Sequence, residues 1–413
     1  MNAVRLSAAL APWFACAALA QPASTSSAPA SGSRTNPAPA NTLRIGVIGP
    51  FTGPSADFGM PMLQGLQLAA DQINAVGGFL GRPLELVLKD DKAQPDEGLK
   101  QSEALVKEKV SAVIGFCNTG VALKSLDVFQ ANRLPLIVPC STGTAITAKF
   151  KGPESYIFRT SARDAIQAPF VVDDLVRRGW TKVAIFADKS GYGEGGLKDV
   201  EKALAAKGLT AVHVARFELG VKDLSADVKA AKAAGADVIF SYTVGPENAV
   251  IALARKEHAP KIAQVGAWPL SFPFFIDGAK DAANGALMAQ TFIAEPSNER
   301  RASFLSAYAR KFKTNKIAVP MAAAQAYDSL YLLLYSLFSV RDGQLTGPAV
   351  KAALENTTRV YYGVVATYDK PFSVDDKDAI TSNMLVMGMV KNGAVTFAYP
   401  EDAQKNLTMQ RKK

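Results

Sequence analysis

From residue 43 onward, short β-rich apolar runs alternate with helix-period segments, and the whole alternation occurs twice. This rhythm constrains the fold more than any other feature. A strand, a covering helix and a second strand of the same direction build a parallel sheet with helices on both faces. In the first series residues 43–49, 84–88, 112–116 and 136–138 read as strands, with helices over 62–75, 97–108 and 121–132. The rhythm restarts after Arg159, with strands at 183–187, 212–217, 238–241 and 262–266 and helices at 166–177, 195–206, 224–233 and 247–256. Two long helical patterns follow, 300–311 and 321–338, and then a β-rich tail over 360–368 and 384–390. At 413 residues the chain is too long for a single core. The fold class expected is α/β: two doubly wound, Rossmann-like lobes joined by a three-segment hinge, with crossings near 160, 288 and 360. That assigns 42–160 plus 289–360 to the first lobe and 161–288 plus 361–413 to the second. Such a hinge lets two lobes close on a ligand.

The first twenty residues carry one charge, Arg5, followed by an apolar stretch and then Ala18, Leu19 and Ala20, a small-x-small pattern. This reads as a secretory signal over 1–20, too short for a membrane span, or as a lipoprotein signal lipidated at Cys16. Residues 21–41 are rich in Ala, Pro, Ser and Thr and too poor in bulky apolar groups to order themselves, as in a flexible leader. The expected location is the periplasm. The formal net charge of +9 is dispersed along the chain, and no nucleic-acid-reading motif accompanies it, so nucleic acid is not an expected partner.

In open α/β sheets ligands bind beyond the carboxyl ends of the strands, so the loops there are the candidates. In the first lobe they are 49–59 with Phe58, 117–120 with Asn118 and Thr119, and 139–144 with Cys140, Ser141 and Thr142. Hydroxyl and amide side chains just before helices suit an anion, because helix N-termini offer free N–H groups and a favourable dipole. They also suit simple helix caps. In the second lobe Tyr192, Tyr242 and Trp268 sit in equivalent loops, where with Phe58 they form an apolar wall if they face one cleft.

The runs IGVIGPFTGPSADFG, GLQLAADQINAVGG, LVLKDD, VIGFCNTG, LPLIVPCSTGT and DKSGYGEGG resemble the periplasmic leucine/isoleucine/valine-binding family of ABC importers, in order and spacing over residues 42–400. The resemblance implies the type I periplasmic-binding-protein fold, a Venus-flytrap clamp, acting as a monomer and delivering a small-molecule ligand to a membrane permease and ATPase. It also implies that a ligand carboxylate is held at Asn118 and Thr119 and at Ser141 and Thr142, with Tyr192 contacting the ligand and Phe58 covering it. One position departs from the family. An acid that pairs with a ligand ammonium is expected after the strand ending at Gly266, where this chain has Trp268. Glu194 and Glu247 are the substitutes in range. Without one, an amine-free aromatic or aliphatic carboxylate becomes the alternative ligand. Cys117 and Cys140 form either a disulfide or two buried thiols; in the family only the Cys117 position matches.

No cofactor, metal or catalysis is expected. Residues 191–196 spell GxGxxG, but a tyrosine fills the turn and the motif starts four residues after its strand. The two histidines have no metal-ligand spacing, and no nucleophile elbow or phosphate loop is present. Asp90 and Asp91 read as capping and solvated carboxylates. A sensory receptor built on the same clamp is the other class of function.

Overall fold

The computed structural model describes residues 41–405 and Lys412; the expected signal and most of the leader lie outside the described residues. The first lobe runs β1 (Leu43–Gly49), α1 (Ala56–Ala75), β2 (Leu84–Asp90), α2 (Pro95–Lys107), β3 (Ala112–Gly115), α3 (Thr119–Ala131), β4 (Leu136–Val138), the single turn α4 (Ala145–Ala148) and β5 (Ile157–Arg159). Its five strands lie in the order β2-β1-β3-β4-β5, all parallel. β1, β3, β4 and β5 are almost entirely buried, as strands covered on both faces must be.

The second lobe continues α5 (Asp164–Arg177), β6 (Val183–Asp188), α6 (Gly191–Ala205), β7 (His213–Phe217), α7 (Ser225–Ala233), β8 (Val238–Tyr242), α8 (Glu247–His258), β9 (Ala263–Gly266), α9 (Pro273–Ala279) and β10 (Leu287–Gln290). The chain then returns to the first lobe. α10 (Glu299–Phe312), α11 (Pro320–Leu337) and α12 (Gly347–Glu355) follow, and α11 packs along α1. That contact needs Gly65, because a Cβ there would meet the Ala323 carbonyl oxygen at 2.1 Å.

Residues 361–376 stay with the first lobe, later than the crossing expected near 360. The short pair β11 (Tyr361–Tyr362) and β12 (Thr367–Tyr368) is held by Asp328 of α11. That buried carboxylate accepts from Tyr361 and Tyr368 hydroxyls and from the Val364 and Val365 amides. Four donors to one buried acid outweigh the β-rich composition that had suggested the other lobe. The third crossing falls at 377–379, where Arg159 N–H donates to Lys377 O and Ala379 N–H donates to Arg159 O. β13 (Val386–Lys391) and β14 (Ala394–Phe397) then pair antiparallel onto β10, completing a seven-stranded sheet in the order β14-β13-β10-β9-β8-β6-β7.

Both sheets reverse their strand order once. In the first the switch lies between β1 and β3, in the second between β6 and β8. A crevice opens at the carboxyl end of such a pair; there Phe58, Thr119 and Tyr192 sit in the first turns of α1, α3 and α6 rather than in loops, Asn118 precedes α3, and Tyr242 is the last residue of β8.

Candidate ligand-binding site

Two first-lobe loops are tied together. Thr119 Oγ1 and Ser141 Oγ are 3.0 Å apart, both buried. Cys117 and Cys140 are joined by a disulfide, with Cα atoms 4.6 Å apart, so the ends of β3 and β4 are cross-linked immediately before Asn118 and Ser141. Cys140 thus acts by covalent restraint, its side chain spent on the bond. α3 begins at Thr119 with no side-chain cap on its first amides, which leaves its N-terminus available to an acceptor. Asn118 Nδ2 donates to Ser55 Oγ at 3.1 Å, while its Oδ1 is buried without a partner.

The loop 141–144 does not lead into a long helix, as its hydroxyls had suggested; α4 is one turn. It is held instead by the first crossing. Arg159, fully buried, donates to Thr142 O at 3.0 Å and Gly143 O at 2.7 Å, and its Nε donates to Asp378 at 2.6 Å. Ser161 Oγ donates to Ser141 O and Asp164 N–H to Thr142 O. The loop and the hinge are therefore one hydrogen-bonded unit.

The second lobe closes over this surface. Thr144 Oγ1 donates to Asp199 of α6 at 2.6 Å, and the Phe58 ring of α1 packs on Phe272 at 5.1 Å. Phe272 in turn meets Trp268 edge-on at 4.7 Å. Tyr192 and Tyr242 pack against each other at 4.9 Å. Phe58, Thr119, Ser141, Thr142, Tyr192, Tyr242 and Trp268 are all buried. Burial without pairing marks the cluster: Thr142 Oγ1, Tyr192 OH and Tyr242 OH have no hydrogen-bond partner. Orphaned polar atoms are costly and uncommon in a folded interior, and here three meet at one place.

One residue at that place was not foreseen. Asp164, the first residue of α5, is fully buried with Oδ2 unpartnered. Burial is the main cause that pushes its carboxyl up to about 7; Thr142 and Tyr242 hydroxyls and Arg159 pull it down, and Asp199 pushes it up. Those hydroxyls lie beside the carboxyl, near enough to favour its charge, yet neither closes a bond of ordinary geometry. In sequence Asp164 looks like any acid in the first turn of a helix. Its burial comes from tertiary packing, with Thr142 of the first lobe and Tyr242 and Asp199 of the second around its carboxyl.

A family model described as periplasmic binding protein matches residues 42–394. The chain belongs to the leucine/isoleucine/valine-binding family of periplasmic binding proteins. The Leu/Ile/Val-binding protein BraC3 of Rhizobium johnstonii is 30% identical over 326 residues, 78% of this chain and 87% of that relative. A Leu/Ile/Val-binding protein homolog of Brucella melitensis is 38% identical over 200 residues; that match spans 48% of this chain and about half, 53%, of the relative. A solute binding protein of an ABC transporter from R. palustris, solved in complex with benzoate, shares the fold at a TM-score of 0.71 and 18% identity, covering 86% of this chain and 95% of its own.

Neither Glu194 nor Glu247 supplies the acid that this periplasmic binding protein lacks at Trp268. Glu194 pairs with Arg216. Glu247 turns away to accept from Gly220 N–H at 2.6 Å and from Thr243 at 3.4 Å. Trp268 packs on Phe272, and its backbone N–H donates to Gln167 Oε1 at 3.2 Å. The GxGxxG run is used for packing: Ser190 caps the Tyr192 and Gly193 amides, and Gly196 lies against the Tyr242 ring, where a Cβ would come within 1.9 Å. Asp90 is more than a solvated acid; it accepts from the Phe51, Thr52 and Lys92 amides and from Thr52 Oγ1, shaping the loop after β1.

Proposed function

We propose that this protein is the extracytoplasmic solute-binding component of an ABC importer. It is exported by the signal over 1–20 and binds one small carboxylate-bearing ligand, a branched-chain or other hydrophobic amino acid, by lobe closure. The observation that carries the reading is the set of buried, unpartnered Thr142, Tyr192 and Tyr242 hydroxyls between two closed lobes. The start of α3 with Asn118 and Thr119, together with Ser141 and Thr142, receives the carboxylate. Tyr192, Tyr242, Trp268 and Phe58 enclose the remainder, and the protein performs no chemistry on it. The Leu/Ile/Val-binding relatives support the ligand class. Closure is the signal to the permease and ATPase, since a ligand favours the closed state only by binding it better.

Small-angle scattering of the exported protein, stripped of bound solute by unfolding and refolding, tests this. Saturating L-leucine, L-isoleucine or L-valine is expected to shrink the radius of gyration. A scattering curve unchanged by a ligand that does bind would refute the clamp. The aromatic group of Trp268, Phe272 and Phe58 also suits an aromatic carboxylate, as in the benzoate complex of the R. palustris protein.

A further inference from the structure

We propose that Asp164 is the counter-charge for a cationic nitrogen on the ligand, so that the cleft selects α-amino acids over carboxylates lacking an amine. This rests on the reading of the cleft given above and names the ligand's second charge.

The placement of Asp164 carries the argument. Its N–H donates to Thr142 O at 2.9 Å, one residue beyond Ser141, so its carboxyl adjoins the loop that would hold the ligand carboxylate. On an α-amino acid both charges sit on one carbon, and their subsites must be neighbours. The acid has no cation of its own. Arg159, whose charge pulls the carboxyl down, spends its donors on Asp378, Thr142 O, Gly143 O and Thr147, and the neighbouring Arg163 donates its Nη1 to Asp378 at 3.2 Å. The single hydrogen bond to the Asp164 carboxyl is a long one, 3.4 Å from Gln167 to Oδ1.

Three orphaned acceptors, Asp164 Oδ2, Thr142 Oγ1 and Tyr242 OH, therefore cluster where an ammonium would bring three N–H donors. An amine-free carboxylate would bring no donor of its own to Oδ2. Four other acids near the cleft are engaged. Asp199 accepts from Thr144, Asp188 accepts from the Ser190 and Val244 amides, Glu194 pairs with Arg216 and Glu247 accepts from Gly220. The role that the family gives to the position now held by Trp268 thus passes to the hinge end of α5, where Gln167 links the two residues by accepting from the Trp268 backbone N–H and donating to Asp164.

The test is calorimetric titration at pH 8 with matched pairs: L-leucine against 4-methylpentanoate, and L-phenylalanine against 3-phenylpropanoate. Wild type is expected to bind an amino acid far more tightly than its amine-free partner. D164N should weaken the amino acid on the order of 100-fold, the scale for removing one member of a buried charge pair, and leave the amine-free acid within about threefold. Titration of wild type in two buffers of different ionisation enthalpy gives a second readout that needs no variant: amino-acid binding at pH 7 should release a fraction of a proton. Amine-free acids binding as well as or better than amino acids, D164N sparing amino-acid affinity, or no proton release would overturn the inference and leave the clamp standing. Failure of all four probes to bind would overturn the clamp for hydrophobic carboxylates and this inference with it.

Discussion

Amino-acid affinity should fall about tenfold between pH 8 and pH 6, and the fall should come from Asp164. Its carboxyl, raised to about 7 by burial, is mostly ionised at pH 8 and mostly protonated at pH 6. An ammonium ligand needs the ionised form, so binding lowers the pKa and expels the proton. The sign follows: affinity is fully present above the free-protein pKa and is lost as pH falls through it. Each unit below it costs about 1.4 kcal/mol of binding.

The other groups facing Asp164 do not mimic this. Burial pushes the Tyr192 and Tyr242 hydroxyls well above their ordinary range. Asp199, also raised by burial, faces Asp164 from α6 and remains in D164N. Calorimetric titration across pH 6–8 in wild type and D164N therefore isolates the effect, and the variant should be nearly flat. Affinity that rises as pH falls would refute the reasoning, since it would mean that a protonated Asp164 donates to a ligand carboxylate instead.

Three further outcomes follow from the same geometry. Replacing both cysteines (C117A/C140A) removes a cross-link over a sequence separation of 23 and should cost about 3 kcal/mol of unfolding free energy in urea titrations, with weaker ligand binding. Arg159→Met leaves Asp378 buried with only Arg163 to pair it, and should cost about 3 kcal/mol, read in the same assay. Tyr192→Phe deletes an unpartnered hydroxyl: affinity should fall about five- to tenfold while the melting temperature of the ligand-free protein stays level or rises.

The strands and helices were legible because buried parallel strands read as apolar runs and their helices keep a 3.6-residue period. The candidate loops followed from strand order alone. Some of what escaped the sequence was local, such as α9 and α12, and some depended on tertiary contact. β14 returns through a turn at Asn392 and Gly393, both at positive φ, and that Asn-Gly pair is a local hairpin signal. The assignment of 361–376 turned on Asp328, a single buried acid within an apolar helix. Asp164 was hidden because its role depends on burial between the lobes, whereas Glu194 and Glu247, nearer in sequence to the tyrosine loops, turned out to serve Arg216 and Gly220.

The central claim is that the cleft captures a small hydrophobic amino acid, and a thermal-shift titration of the stripped, exported protein tests it most directly. At a hundred times its dissociation constant a ligand adds about 2.7 kcal/mol to the folded state, enough to raise the melting temperature by roughly 3 °C in a protein of this size. L-leucine, L-isoleucine or L-valine is expected to produce that shift at pH 8. No shift with any of them at millimolar concentration, alongside a clear shift with benzoate or another amine-free acid, would contradict the account.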